Sequence, residues 1–249
     1  MTTPSVTQVA DGTYFVDAGS VNWILLGDGR ALTLVDAGYP AHRDAVVASV
    51  ESIGHRMTDV EAILVTHAHV DHIGSIPALV QQFSTPVLTS DREARHARRE
   101  YLEQATPAAV ARNVWRPGVA GWALHIMRQG GLEKVSVPEA RGFGDASPLD
   151  LPGRPVPVAT PGHTSGHTAY LLPDVGAVVS GDALITGHGT SRREGPQFLL
   201  PMFHHDVDAA HRAIGALASS GADVLLPGHG PVYRGSIDEA VERALRSSR

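Results

Sequence analysis

Cysteine is absent from this chain of 249 residues. Its absence excludes disulfides, a thiolate nucleophile and cysteine metal ligands, and with them cysteine proteases and thiolate zinc ribbons. Lysine is nearly absent too, since Lys134 is the one lysine among 20 basic residues. The formal charge is -6, and the arginines are scattered. An acidic chain without a basic stripe is a poor nucleic-acid binder. One small cluster, Arg92, Arg95, Arg98 and Arg99, puts Arg92, Arg95 and Arg99 on one helix face. Glu93, Glu100 and Glu103 lie nearby, so this stretch reads as a solvated, salt-bridged helix. No apolar run approaches ~20 residues, so no membrane span and no membrane partner is expected. Met1-Thr2-Thr3-Pro4-Ser5 has neither a basic start nor an apolar core. No signal peptide is therefore expected, and cytoplasmic location is the default. Hydrophobic residues make up 43% of the chain, enough for a substantial core in one large domain or two small ones.

Histidine is plentiful, and its placement is the strongest signal. Thr66-His67-Ala68-His69-Val70-Asp71-His72 sets four metal-ligand types within six residues. It follows Ala62-Ile63-Leu64-Val65, a fully apolar run that reads as a buried strand. Ligands at the end of a buried strand sit on a rigid support. In extended backbone, residues i and i+2 point the same way, so His67 and His69 can reach one ion. Asp71 and His72 follow as the chain turns and face another direction. One borderline-soft divalent ion takes about four ligands, so this loop makes one crowded site or two adjacent ones. Ser75 is placed to cap a following helix with Pro77 in its first turn.

Three more segments repeat the strand-then-ligand pattern. Pro161-Gly162-His163-Thr164-Ser165-Gly166-His167-Thr168 follows a strand candidate at Pro155 to Ala159. Ser180-Gly181-Asp182 follows Ala177-Val178-Val179, and Pro227-Gly228-His229-Gly230 follows Val224-Leu225-Leu226. The glycines permit tight turns and close backbone approach, so these loops are placed to converge on one point.

Together, His-x-His-x-Asp-His, Pro-Gly-His-Thr, Gly-Asp and Gly-His-Gly resemble the metallo-β-lactamase superfamily of metal hydrolases. Val35-Asp36-Ala37-Gly38 fits that family's early Asp-x-Gly. The resemblance implies an α/β fold, the four-layer αββα sandwich, with metals in a groove at one edge between the two sheets. Carried over residue by residue, it assigns His67, His69 and His163 to a first metal. Asp71, His72 and His229 would bind a second, and Asp182 would bridge the two. Asp36 is then a structural neighbour of the site. The matching position in some true β-lactamases is a cysteine, whereas here it is Asp182. The ligand set is thus all nitrogen and oxygen, which accepts zinc and also iron or manganese; two divalent ions, with zinc favoured, are expected.

His167 reads either as a residue that orients a ligand or touches substrate, or as a structural residue. His42, His55, His96, His125 and His211 read as ordinary; His188, His204 and His205 follow Asp182 in a segment able to line a pocket, and read better as surface loop positions. The chain divides into short strands over 5–38, a helix over 41–54, the strand and metal loop, a helix near 75–83, a strand at 86–89 and a helix near 91–104. A helical insertion over the site mouth is expected at about 105–150, within a single domain spanning 1–249. Its aromatic residues either line a pocket or pack the insertion onto the core. Strands return at 155–159, 168–172 and 176–180. A long loop over 183–205 precedes a helix at 206–220, a strand at 223–226 and a final helix at 237–247.

The resemblance implies catalysis by a water that bridges two cations, loses its proton near neutral pH and attacks a carbonyl. Asp71 and Asp182 are the catalytic candidates, orienting the nucleophile and moving a proton to the leaving group. A small ester, lactone or thioester is the expected substrate. In motif the chain is closest to hydroxyacylglutathione hydrolases and acyl-homoserine lactonases. The former hold glutathione with late lysines, and no lysine follows Lys134. The latter use a tyrosine near the metals; Tyr233 is a candidate for it, with a packing role as the favoured reading. The alternatives are a mononuclear iron persulfide dioxygenase, in which Asp71, His72 and His229 would not bind metal, a β-lactam-hydrolysing enzyme, and a non-catalytic scaffold.

Overall fold

Buried side chains alternate along the central strands, and the alternation sorts the chain into layers. The computed structural model describes residues 4–145 and 147–248. The chain starts with β1 (Ser5–Ala10), β2 (Thr13–Asp17), β3 (Asn22–Gly27) and β4 (Leu32–Val35). There follow α1 (Arg43–Ser52), β5 (Val60–Leu64), α2 (Val70–Ile73), α3 (Ile76–Phe83), β6 (Val87–Thr89) and α4 (Asp91–Ala97). Next come α5 (Pro107–Asn113), α6 (Val119–Arg128) and a two-residue strand, β7 (Arg141–Gly142). The later part holds β8 (Val156–Ala159), β9 (Thr168–Leu172), β10 (Ala177–Gly181), α7 (Val207–Ala213), α8 (Gly215–Ala218), β11 (Val224–Pro227), β12 (Tyr233–Arg234) and α9 (Ile237–Ser247).

Strands β1 to β7 form one sheet in chain order, antiparallel up to β4 and parallel from β4 onward. The second sheet has the order β12-β11-β10-β9-β8, with β10 and β11 parallel. Trp23, Leu25, Leu34 and Ile63 point outward from the first sheet, into a core shared with Val46 and Val50 of α1 and Ile76 and Leu79 of α3. The intervening Ile24, Leu26, Val35 and Leu64 face the second sheet and meet Tyr170, Val179 and Leu226. On that sheet's far side, Val178 and Leu225 pack against Ile214, Leu217, Ile237 and Val241. The period of two along each strand thus produces helix, sheet, sheet, helix, the expected αββα sandwich.

Local chemistry sets the helix boundaries. Ser90, Thr106, Asp206 and Ser236 each accept a backbone N–H at a helix start. In α9, Ile237, Ala240, Val241 and Ala244 are buried at the spacing of one helix face,. Three expectations need correction. Ser75 precedes α3 but does not cap it; its hydroxyl donates to Ala37 O at 2.6 Å and ties the helix to the end of β4. The helix near 91–104 stops at Ala97, because Arg99 adopts φ +63. The helix at 206–220 is two, interrupted at Ile214 just ahead of Gly215, a weak helix former,. Among the described residues, no helix is long and apolar enough to cross a membrane.

The two sheets are stitched together at the end that carries the ligand loops. Tyr170 Oη donates to Val65 O at 2.8 Å, and Thr168 N donates to Thr66 O at 3.0 Å. Asn22 Nδ2 donates to Pro227 O and Gly230 O, fixing the His229 loop against β3.

Candidate metal centre

All four ligand loops meet at this edge. His67, His69 and His72 come from the turn after β5 and the start of α2. His163 comes from the loop between β8 and β9, Asp182 follows β10, and His229 follows β11. The imidazoles and Asp182 are buried, while Asp71 is half-buried. Ligand atoms gather in three overlapping groups, each within 4.8 Å: His67, His69 and His163; His67, His72 and Asp182; Asp71, His72 and His229. Asp182 Oδ2 lies 3.4 Å from His163 Nε2 and 3.3 Å from His229 Nε2, and Oδ1 lies 3.4 Å from His72 Nε2. It therefore stands between the first trio and the third.

The hydrogen bonds on the far side of each ring set its orientation. His72 Nδ1 donates to Asp36 Oδ2 at 2.8 Å. His67 Nδ1 donates to Thr66 Oγ1 at 3.1 Å, and Thr66 Oγ1 in turn donates to Asp36 Oδ2 at 2.7 Å. His69 Nε2 donates to Glu103 O at 2.5 Å, and His229 Nδ1 to Ser20 O at 2.7 Å. These bonds keep the protons of His67 and His69 on the outer nitrogens and leave bare lone pairs toward the centre. His163 Nε2 lies 3.1 Å from His67 Nε2 and 2.9 Å from His69 Nδ1. His163 Nδ1 has no partner, so either the His163 proton or a cation must sit among these three nitrogens, because three bare lone pairs this close repel. His72 Nε2 and Asp182 Oδ1 are buried and have no hydrogen-bond partner. Buried polar atoms are ordinarily satisfied, so these orphans fit a metal, and the nitrogen and oxygen donors fit a borderline divalent ion.

Protonation divides the cluster in two. Burial, reinforced by the neighbouring histidines, holds the pKa of His67 and His163 well below the usual imidazole value. Burial also opposes charge on His72 and His229, but Asp182 and the other carboxylates outweigh it. His72 is held well above the usual value and His229 is pushed up to about 10. Asp71 and Asp182 resist protonation: burial disfavours their charge, but the two imidazoles beside each prevail.

Backbone geometry supports this arrangement. Asp36 sits at φ +61, a left-handed conformation uncommon for a non-glycine residue. Its carboxylate accepts from Thr66 N, Thr66 Oγ1 and His72 Nδ1, which holds the strained residue in place. Asp36 thus orients His72 directly and His67 through Thr66. At Gly228 an added Cβ would lie 2.4 Å from Asp182 Oδ1 and 2.8 Å from His72 Cε1, so only glycine lets this loop come so close.

Several other positions have definite surroundings. Tyr233 packs with the α9 cluster and does not line the cavity. Tyr39, just after β4, reaches the site instead: it is buried, and its hydroxyl lies 3.5 Å from Asp71 Oδ2. His167 lies behind the ligands, where its Nε2 accepts from Asp182 N at 3.1 Å and its Nδ1 donates to Thr160 Oγ1. His96 is buried, not ordinary; it donates from Nδ1 to Glu93, whose carboxylate also accepts from Ala68 N and Thr164 Oγ1. Glu93 thereby links the first ligand loop to the His163 loop. Arg99 is half-buried, not solvated, and its guanidinium donates to Ala68 O, His96 O and Val135 O. His188 and His204 are not simple surface residues, as their rings lie 5.0 Å from His229 and 5.2 Å from His163. Burial lowers their pKa values to about 3 and about 4. The strand-end pattern that singles out Asp36 extends to Tyr39, whereas Arg99 carries no local signal, because two of its carbonyl partners lie 31 and 36 residues away.

A cavity of about 870 Å³ opens onto this cluster. His69, Asp71, His163, Asp182 and His229 line its inner end. Val110, Val114, Ile126, Met127, Leu132 and Phe203 line its apolar body, largely from α5, α6 and the residues next to them.

The sequence profile of the metallo-beta-lactamase superfamily matches residues 16–229, and the chain belongs to that superfamily of metal-dependent hydrolases. The probable metallo-hydrolase YflN of Bacillus subtilis is 27% identical, over 90% of this chain and 81% of its own. An atrochrysone carboxyl ACP thioesterase of Aspergillus fumigatus is 24% identical, over 92% of this chain and 57% of its own. In fold, the chain is similar to a metallo-beta-lactamase from Cronobacter sakazakii, with a TM-score of 0.69 at 20% identity, covering 99% of this chain and 92% of the other.

Proposed function

We propose that this enzyme hydrolyses an ester, lactone or thioester whose acyl part is large and apolar, using two divalent zinc ions. The cavity carries this reading. It is mostly apolar, lies within the range of small-molecule sites, and its inner end is the ligand cluster itself. His67, His69 and His163 would hold one ion, Asp71, His72 and His229 the other, and Asp182 both. The convergence of Asp71, His72 and His229 supports two ions over the single ion of the dioxygenase alternative. When bound, such ions act as Lewis acids on the carbonyl and make water acidic enough to attack near neutral pH.

The chain's own residues supply the rest. The cavity body holds the acyl group and excludes water from it. Asp71 faces the cavity, and its Oδ2 is placed to take a proton from the attacking water and return it to the leaving group. Tyr39 orients that carboxylate from 3.5 Å. Residues 1–249 form one metallo-β-lactamase-like domain on this reading, with α5 and α6 as an insertion that walls the cavity. The ACP thioesterase among the relatives supports a thioester.

The test compares the wild-type chain with His67→Ala and Asp182→Ala. Metal content is measured by elemental analysis, and turnover with acyl thioesters and acyl-homoserine lactones. Two equivalents of metal and turnover in the wild type, both lost in folded variants, are expected. Full activity in either variant, or one iron with oxygen uptake on a persulfide, overturns the proposal.

A further inference from the structure

We infer that the α5–α6 hairpin is a docking surface for an anionic lipid layer, from which an acyl chain passes directly into the cavity. Among the described residues, the large exposed apolar side chains gather here. Leu102 is 64% exposed, Trp115 74% and Leu132 62%, with Val114, Leu124 and Met127 about half exposed. Globular surfaces scatter such residues singly. Leu102, Val114, Met127 and Leu132 also line the cavity, so the apolar face surrounds the cavity mouth. Leu124 stands three residues before Met127 on α6, on the same helix side.

Charge selects the occupant. The chain carries a net -6, yet residues 102–134, which span this face, hold Arg112, Arg116, Arg128 and Lys134 against only Glu103 and Glu133. Arg112 and Arg128 are exposed, and the Arg116 guanidinium lies 5.2 Å from the centre of the Trp115 ring. Exposed tryptophan and leucine beside arginine make the pattern of a helix lying in a membrane interface. A second copy of the chain fits less well, because a two-fold interface would set this cationic face against itself. This departs from the expectation of no membrane partner, which rested on the lack of a spanning run; surface docking needs none. It is independent of which bond the enzyme cleaves.

Vesicle co-sedimentation tests the inference without using activity. The full chain is mixed with vesicles of phosphatidylcholine alone, or with 30% phosphatidylglycerol as an order-of-magnitude match to an anionic surface. Strong binding to the anionic vesicles and weak binding to the neutral ones is expected. Arg112→Glu with Arg128→Glu lowers binding at least about thirtyfold, taking about fivefold per arginine removed. Trp115→Ala lowers it about tenfold. None of these three residues lines the cavity, so turnover of a short soluble substrate stays at the wild-type level. Failure to bind either vesicle overturns the inference, as does binding that the variants leave intact. A dimer in light scattering that Trp115→Ala dissociates assigns the face to a second copy and overturns it too. If binding is lost while turnover persists, the hydrolase reading stands apart from this one.

Discussion

Replacing Asp36 with asparagine tests whether proton placement, rather than ligand identity alone, prepares the metal centre. The side chains have nearly the same shape, so packing is retained. The native carboxylate only accepts, taking bonds from Thr66 N, Thr66 Oγ1 and His72 Nδ1 at 2.7–2.8 Å. In Asp36→Asn, Oδ1 can still accept from Thr66 N, but Nδ2 now donates. It donates to Thr66 Oγ1, which must then turn its own proton onto His67 Nδ1. Its second proton goes to His72 Nδ1. Both imidazoles are thereby pushed to carry their proton on Nε2, the nitrogen that faces the centre. Every hydrogen bond is kept, yet two ligands point protons where lone pairs are needed.

Loss of a partner that orients a ligand costs about 10–100-fold in metal affinity, or about 1.4–2.7 kcal/mol. Competition with a chromophoric chelator at pH 7.5 measures this directly, and circular dichroism of the metal-free chain reports the fold. Asp36→Asn is expected to keep the fold and to bind zinc at least tenfold more weakly, within that range. Asp36→Ala leaves Thr66 N and His72 Nδ1 unsatisfied, which costs about 1–3 kcal/mol each, so it should lose stability as well. Wild-type zinc affinity in Asp36→Asn would refute the tautomer argument.

Three further outcomes follow from the same geometry. In Gly228→Ala the added methyl displaces Asp182 and His72, so bound metal and kcat/KM should fall at least about tenfold in a folded protein; unchanged metal content would show that the loop can retreat. With its pKa near 10, His229 is protonated at pH 7 in the metal-free chain, and an arriving ion must displace that proton. His72, held well above the usual value, gives up a second proton at the same group, so affinity there should rise by more than tenfold and up to about a hundredfold per pH unit below about pH 10, and less steeply above it, which calorimetry in buffers of different ionisation enthalpy can detect; absence of proton release would count against it. Ala123→Trp puts an indole into the cavity, and the preferred acyl chain should shorten, with each excluded methylene worth about 0.8 kcal/mol, or about fourfold in kcat/KM. An unchanged chain-length profile would place the acyl group elsewhere.

How much was legible can be traced through particular residues. Ala62 to Val65 are buried on both faces, so they read as a continuous apolar run and their strand stands out. The ligand loops are legible because each follows such a run. Helix α4 is misleading because its arginines and glutamates have helical spacing, while Glu93 is in fact buried against His96, Ala68 and Thr164. The two-residue strands β7 and β12 are too short to leave a period, and pairing alone defines them. Tyr39 escapes a sequence reading because it lies 32 residues from Asp71 along the chain, although its hydroxyl approaches that carboxylate in space.

By itself, the sequence determined the layered architecture, the superfamily and the residues that gather at the centre. These depend on local periodicity and on donor types that side-chain chemistry restricts. Only the tertiary structure decided which nitrogen of each histidine faces inward, that Asp36 and Thr66 jointly set two of those choices, and that an apolar cavity ends at the cluster. Proton placement depends on hydrogen bonds between groups 30 and 36 residues apart. A cavity is the space that several distant segments leave between them, and no single stretch of chain encodes either.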